Sequence, residues 1–189
     1  EVVIFDYAPS RSGQVPLRLL EGWRGYLMTD GYEGYNAVGK TEGVEHLVCW
    51  AHARRQFVNA TRAVKGKRGR ADEAVDMIGQ LYGIEREFSD ATDQARLQAR
   101  QTRSREVLEK LRTWLDETRP LVTPKSELGK ALRYLDHYWD RLVRYTERGD
   151  LPMDNNRVEN AIRPFVVGRK NWLFSDTPAG AHASAVVYS

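Results

Sequence analysis

The sequence predicts an α/β fold interrupted by an all-helical stretch, and three observations carry that prediction. Short apolar runs at 2–7 (rich in β-branched residues), 25–30 and 44–50 alternate with segments of helical spacing, the pattern of a largely parallel sheet with helices between its strands. From about 71 to 148 the apolar period becomes helical throughout. Between the two regimes lies KGKRGR (Lys65–Arg70), basic and without apolar anchors, which reads as a boundary. The division expected is 1–70 as the first part of an α/β core, 71–150 as a helical insertion, and 151–189 as the last part of the core.

Val2–Tyr7 (VVIFDY) reads as a strand buried on both faces, ended by Pro9, Ser10 and Gly13, with a short helix following from about Pro16 to Trp23. GYLMTDGY repeats the design, its apolar run ending in Asp30 with Gly31 to permit the turn. A polar, aromatic connection with room for one helical turn leads to VEHLVCW (Val44–Trp50), the third strand. Ala53, Phe57, Ala60 and Val64 then share one face of a helix.

Three helices are expected in the insertion. Their stripes are Met77, Ile78, Leu81, Ile84 and Phe88; then Val107, Leu108, Leu111, Trp114 and Leu115; then Leu128, Leu132, Leu135, Trp139 and Leu142. The charges of DATDQARLQARQTRSRE are read as solvated helix faces. After Pro152 a helix restarts, with Pro164 expected to interrupt or kink it because proline cannot bond back to residue 160. The chain closes on a turn and the start of a packing helix.

With 189 residues, 41% apolar and 29% charged, the composition is that of a folded globular protein, which excludes whole-chain disorder. Net charge is only +3, but the isoelectric point near 9.0 is compatible with a polyanionic partner. A single cysteine, Cys49, excludes an internal disulfide framework and points to a reducing, cytoplasmic setting. No apolar run approaches the roughly 20 residues a membrane span needs. The chain opens on Glu1 and passes straight into an apolar run, so it is expected to be a piece of a longer protein.

Asp30 falls at what should be the C-terminal end of a parallel strand, where open α/β sheets collect ligands. It reads either as a metal-binding or acid/base carboxylate or as a turn residue before Gly31. Glu159 has two readings as well. Asn156-x-x-Glu159 fits a capping box, while with Asp154 as the cap the glutamate is released to act elsewhere. On a helix, Asn156, Glu159, Asn160 and Arg163 share a face, and a glutamate among donors and cations stays ionised, which suits a metal ligand.

Two carboxylates far apart in sequence, one at a strand end and one on a late helix, are what a Mg²⁺ phosphoryl-transfer site requires. Arg163, Arg169 and Lys170 are then candidates for DNA phosphates, though each alone is equally an ordinary surface charge. His46-x-x-Cys49-x-x-His52 has zinc-ligand residue types, but a strand-to-helix junction turns such side chains apart, so a packed histidine and a buried cysteine are expected. The KGKRGR loop with Arg54, Arg55 and Arg62 reads as either a linker or a backbone-binding patch.

Four motifs taken in order, VIFDYAPSRSG, GYLMTDGYEGYNAV, HLVCWAHARRQF and DNNRVENAIRPFVVGRKNWLFSDTPAGAHASAVVYS, closely resemble the catalytic region of IS66-family insertion-sequence transposases. The resemblance implies a DDE transposase with an RNase H-like core, two Mg²⁺ ions, DNA ends and target as partners, a homo-oligomeric active complex and, when bound to DNA, a nucleoid location. Asp30 then matches the second aspartate (TDGY) and Glu159 the glutamate (NNRVEN), with Asn156 and Asn160 placed near DNA together with Arg163, Arg169 and Lys170.

The first aspartate is implied on a strand upstream of VIFDY, with Asp6 left to local structure such as the Pro9–Gly13 loop, so this stretch alone is expected to be inactive. The same strand order implies that Val2–Tyr7 lacks its usual neighbour and folds less well for it. Two other readings compete: a non-catalytic DNA-binding or assembly remnant of a transposase, and an RNase H-like nuclease that only hydrolyses.

Overall fold

The computed structural model describes residues 2–64, 68–172, 175 and 177–189, with the side chains of 165 and 168–172 outside the described set. The chain separates into two compact units. One comprises Glu1–Leu27, Tyr32–Glu45 and Asn155–Ser189, the other Met28–Gly31 and His46–Asp154. Among the described residues the protein is mostly helical, with a single two-stranded sheet, β1 (Gly25–Thr29) beside β2 (Val44–Val48). The Gly25 amide donates to Gly43 O at 2.8 Å and the Cys49 amide to Thr29 O at 2.9 Å, so both strands run the same way.

The α/β expectation therefore holds in a reduced form, and one strand is corrected. Val2–Tyr7 forms no strand, and Val2 and Ile4 are 84% and 75% exposed. An extended segment becomes a strand only when a neighbour takes up its amides and carbonyls. Among the described residues no strand does so, and Phe5 instead donates its amide to the Ser189 hydroxyl at 2.8 Å. Asp6 does serve local structure, but its partner is Arg18 of α1 (Gln14–Leu19), at 3.4 Å.

The unit containing His46–Asp154 carries the core. Helix α2 (Trp50–Ala63) starts directly after β2, and its buried face is Trp50, Ala53, Phe57 and Ala60; Val64, expected on that face, lies just past the helix end and is exposed. Helix α2 packs against α3 (Arg70–Glu87) and α6 (Glu127–His137). Trp50 is fully buried and its indole donates to Leu142 O at 2.8 Å, so the largest side chain of the core loses no hydrogen bond on burial. Phe57 meets Trp114 edge to face, centroids 6.0 Å apart. Each such aromatic contributes about 1.5–3 kcal/mol of burial.

The second helical stripe of the sequence becomes one continuous rod. Helix α4 (Asp93–Ala99) runs through a π-helical turn at Arg100–Ser104 into α5 (Arg105–Thr118). At this turn the reading of the charges as solvated is corrected for Arg100, which is 2% exposed. Glu85 of α3 receives Nε at 2.8 Å and Nη2 at 2.6 Å, Tyr145 O and Leu151 O each accept at 2.9 Å, and Arg148 O also accepts. Five donors matched by five acceptors are what allow a guanidinium to be buried. Helix α7 (Trp139–Val143) and a 3₁₀ turn at Arg144–Glu147 complete this unit.

The other unit contains α1, 3₁₀ turns at Glu33–Tyr35 and Val38–Lys40, α8 (Asn156–Trp172) and α9 (Pro178–Tyr188). Helix α8 continues through Pro164 rather than stopping there; proline removes one bond to the residue 160 carbonyl while the turns on either side keep theirs. Thr177 caps α9, its hydroxyl accepting the Gly180 amide at 3.1 Å.

Candidate active site

Asp30 follows the last residue of β1, and its side chain is exposed although Thr29 before it is 4% exposed. Gly31 has φ +88°, a backbone that side chains disfavour, and Asp30–Gly31 is irregular chain, neither a hydrogen-bonded turn nor a bend, directly after the strand end. This stretch of main chain is held from several sides. The Gly31 amide donates to Thr29 Oγ1 at 3.3 Å, Tyr134 of α6 donates its hydroxyl to Asp30 O at 2.9 Å, and Tyr138 donates to Gly31 O at 2.7 Å.

Thr29 Oγ1 is also hydrogen-bonded to His46 Nε2 at 2.8 Å. His46 is 2% exposed, and burial first, then the charges of Arg141 and Arg144, hold its imidazole down to about 4, so it is neutral at physiological pH. Arg144 donates to the His46 carbonyl at 2.9 Å, tying the 3₁₀ turn to β2.

His46 and Cys49 are both buried, as the packing reading of that motif expects, and the described residues contain no group of three His, Cys, Asp or Glu placed to hold a metal. The Asp154 carboxylate accepts from the Tyr82 hydroxyl at 3.0 Å, and it and burial raise the Tyr82 pKa, burial contributing most.

Glu159 is half-buried in the first turn of α8, its amide bonded to Asn155 O at 3.1 Å. Because the helix begins at Asn156, the third position is Val158 and Glu159 stands one residue beyond it, which does not match a capping box on Asn156. Asn156, Asn160 and Arg163 are exposed on the same helix. The side chains of Arg169 and Lys170 lie outside the described set, as do residues 65–67 of the basic loop. Arg54, Arg55 and Arg62 are exposed on α2, whereas Arg68 pairs with Asp76.

The model of the transposase IS66 family matches residues 1–183, nearly the whole chain and both candidate carboxylates with it. The chain belongs to the IS66 transposase family.

Two curated relatives of this IS66-family chain are uncharacterized proteins of Sinorhizobium fredii. The y4hP protein is 32% identical over 97% of this chain and 36% of its own length, and y4jD is 30% identical over 98% and 37%. The chain thus spans about a third of the length of the relatives it matches. No solved structure matches it significantly.

Within this IS66-family chain, Asp30 and Glu159 fall in different units. Both are accessible oxygen donors, which in kind suits Mg²⁺. Sequence reading missed Tyr134, Tyr138 and Thr29 around Asp30. A signal existed: the tyrosines lie four residues apart, Tyr134 in α6 and Tyr138 at its C-terminal cap, but beside an obvious leucine stripe they read as its flank.

Proposed function

We propose that this IS66-family chain is part of the catalytic region of a DDE transposase, with an RNase H-like core interrupted by the helical segment at 71–150. The supporting observation is the exposed carboxylate of Asp30, carried on hydrogen-bonded main chain at the C-terminal end of a parallel strand, inside a stretch matched by the transposase family. Asp30 and Glu159 are two of the carboxylates that hold Mg²⁺ in the complete protein. When bound, the metal would supply the charge stabilisation that lets water, and later a DNA 3′ hydroxyl, attack a backbone phosphorus while the opposite ester oxygen leaves.

The residues of this chain have separable tasks in that reading. Asp30 and Glu159 contribute ligand oxygens, while Asn156, Asn160, Arg163, Arg169 and Lys170 along α8 contact the DNA backbone at transposon ends and target. The active complex is a homo-oligomer acting on DNA in the bacterial cytoplasm.

The test uses the full-length parent transposase. Asp30→Asn and Glu159→Gln each lower cleavage of labelled transposon ends by more than about 100-fold, beyond what losing an outer partner of a metal ligand costs. End binding in gel shift stays within about threefold, since neither change removes a cation that contacts phosphate. Normal cleavage by either variant overturns the assignment. Nicks without joined products in the wild type would assign the hydrolytic nuclease instead.

A further inference from the structure

We infer that Tyr134 of α6 and Tyr138, just past its end, are positioning residues for Asp30, clamping the main chain that carries it so that its carboxylate is presented at a fixed place; this rests on the DDE reading of Asp30. The peptide group joining Asp30 to Gly31 is held on both sides, its carbonyl by the Tyr134 hydroxyl at 2.9 Å and its amide by Thr29 Oγ1 at 3.3 Å. The next carbonyl, Gly31 O, takes the Tyr138 hydroxyl at 2.7 Å. Three successive main-chain polar groups are thereby fixed by side chains, while the Asp30 side chain remains exposed.

The two hydroxyls contribute little to the helix that bears them. Phenylalanine at either place would bury the same ring face, and the rings already meet edge to face with centroids 4.8 Å apart. What the hydroxyls add is a bond to the Asp30–Gly31 main chain.

The approach is close enough to determine the residue after the aspartate. A Cβ on Gly31 would lie 2.8 Å from the Tyr134 hydroxyl and 3.2 Å from the Tyr138 ring, so any larger residue there would push the two clamping tyrosines aside, in addition to meeting the positive φ. A ligand oxygen must be held to within about 0.5 Å to keep a metal geometry, and a strand end with unsupported peptides does not do that.

Full-length transposase carrying Tyr134→Phe, Tyr138→Phe and both changes tests the inference, with Asp30→Asn as the reference. Amide hydrogen exchange is read first, in metal-free protein, on the peptide covering 27–32. Loss of both hydroxyl hydrogen bonds is expected to raise its exchange at least about tenfold in the double variant, with α6 peptides unchanged. The Mg²⁺ concentration giving half-maximal cleavage should rise about tenfold, and end binding and Tm should not move.

A merely structural pair of tyrosines would lower Tm and raise exchange along α6, leaving the Mg²⁺ requirement alone. That pattern overturns the inference, as does a double variant whose 27–32 exchange equals that of the parent. If Asp30→Asn still cleaves, the DDE reading fails by itself, and the exchange measurement continues to decide whether the tyrosines clamp this main chain. If the double variant does not fold, Tyr138→Phe alone supplies the same readouts.

Discussion

Asp30 and Glu159 are presented by regions built in contrasting ways. Around Asp30 the main chain is held by side chains from α6 and from β1 itself, next to a core in which Trp50, Phe57 and Leu135 are fully buried. Around Glu159 the helix is mostly exposed: Val158, Ile162, Val166 and Val167 are 63%, 39%, 40% and 54% exposed, and no described side chain of α8 is fully buried. The difference teaches that one carboxylate rides on main chain held by side chains of its own unit, whereas the other stands on a helix whose described apolar side chains are largely exposed.

The sharpest way to break that contrast is to empty the buried arginine site. Arg100→Ala leaves the Glu85 carboxylate and three carbonyls without their donor, and the expected loss is about 3–5 kcal/mol by chemical denaturation. A loss below about 1 kcal/mol, the level of an exposed pair, would show that the region is not held as its geometry says.

Next in size is pH. The unfolded chain protonates His46 below its ordinary value of 6.5, but the folded chain only near 4, so within that window the unfolded state binds more protons. Stability is therefore complete above 6.5 and falls as pH drops toward 4, by up to about 3 kcal/mol at 1.36 kcal/mol per unit. Denaturation midpoints measured across that window should slope downward with acid in the wild type, and His46→Gln should flatten the slope.

The smallest effect is expected on the other side of the comparison. Val158→Ser and Ile162→Ser on α8 should change stability of this chain by no more than about 0.5 kcal/mol, since both side chains are already exposed. A loss several times larger would mean that this helix is better packed than its exposure indicates.

Much of the helical framework was legible because burial repeats at helical spacing. Ile78, Leu81, Leu111, Leu115, Leu132 and Leu135, all named from periodicity, are buried. Two strands were legible as short apolar runs between loop segments. The third, at Val2–Tyr7, was misread because an apolar run records what a segment could pair with, and pairing is decided by which neighbour is present. Asp30 was found from its place after a strand and before a glycine. Tyr134, Tyr138 and Arg100 were not found as partners, because the tyrosines meet main chain more than 100 positions away and Arg100 meets Glu85 15 and Tyr145 45 positions away, while local spacing records only the helical segment each sits in or caps.

The widened turn at Arg100–Ser104 also matters for reading relatives. Because the Arg105 amide reaches back five residues to Arg100 O, this turn holds one residue more than an ordinary helical turn does. A homologue with a plain helix there must be one residue shorter between the positions of Ala99 and Arg105. Its next helix would otherwise turn its apolar face about 100° away from the core. A single-residue gap at that place in an alignment should therefore coincide with replacement of both the arginine and the glutamate at position 85, giving a marker that can be read without any structure.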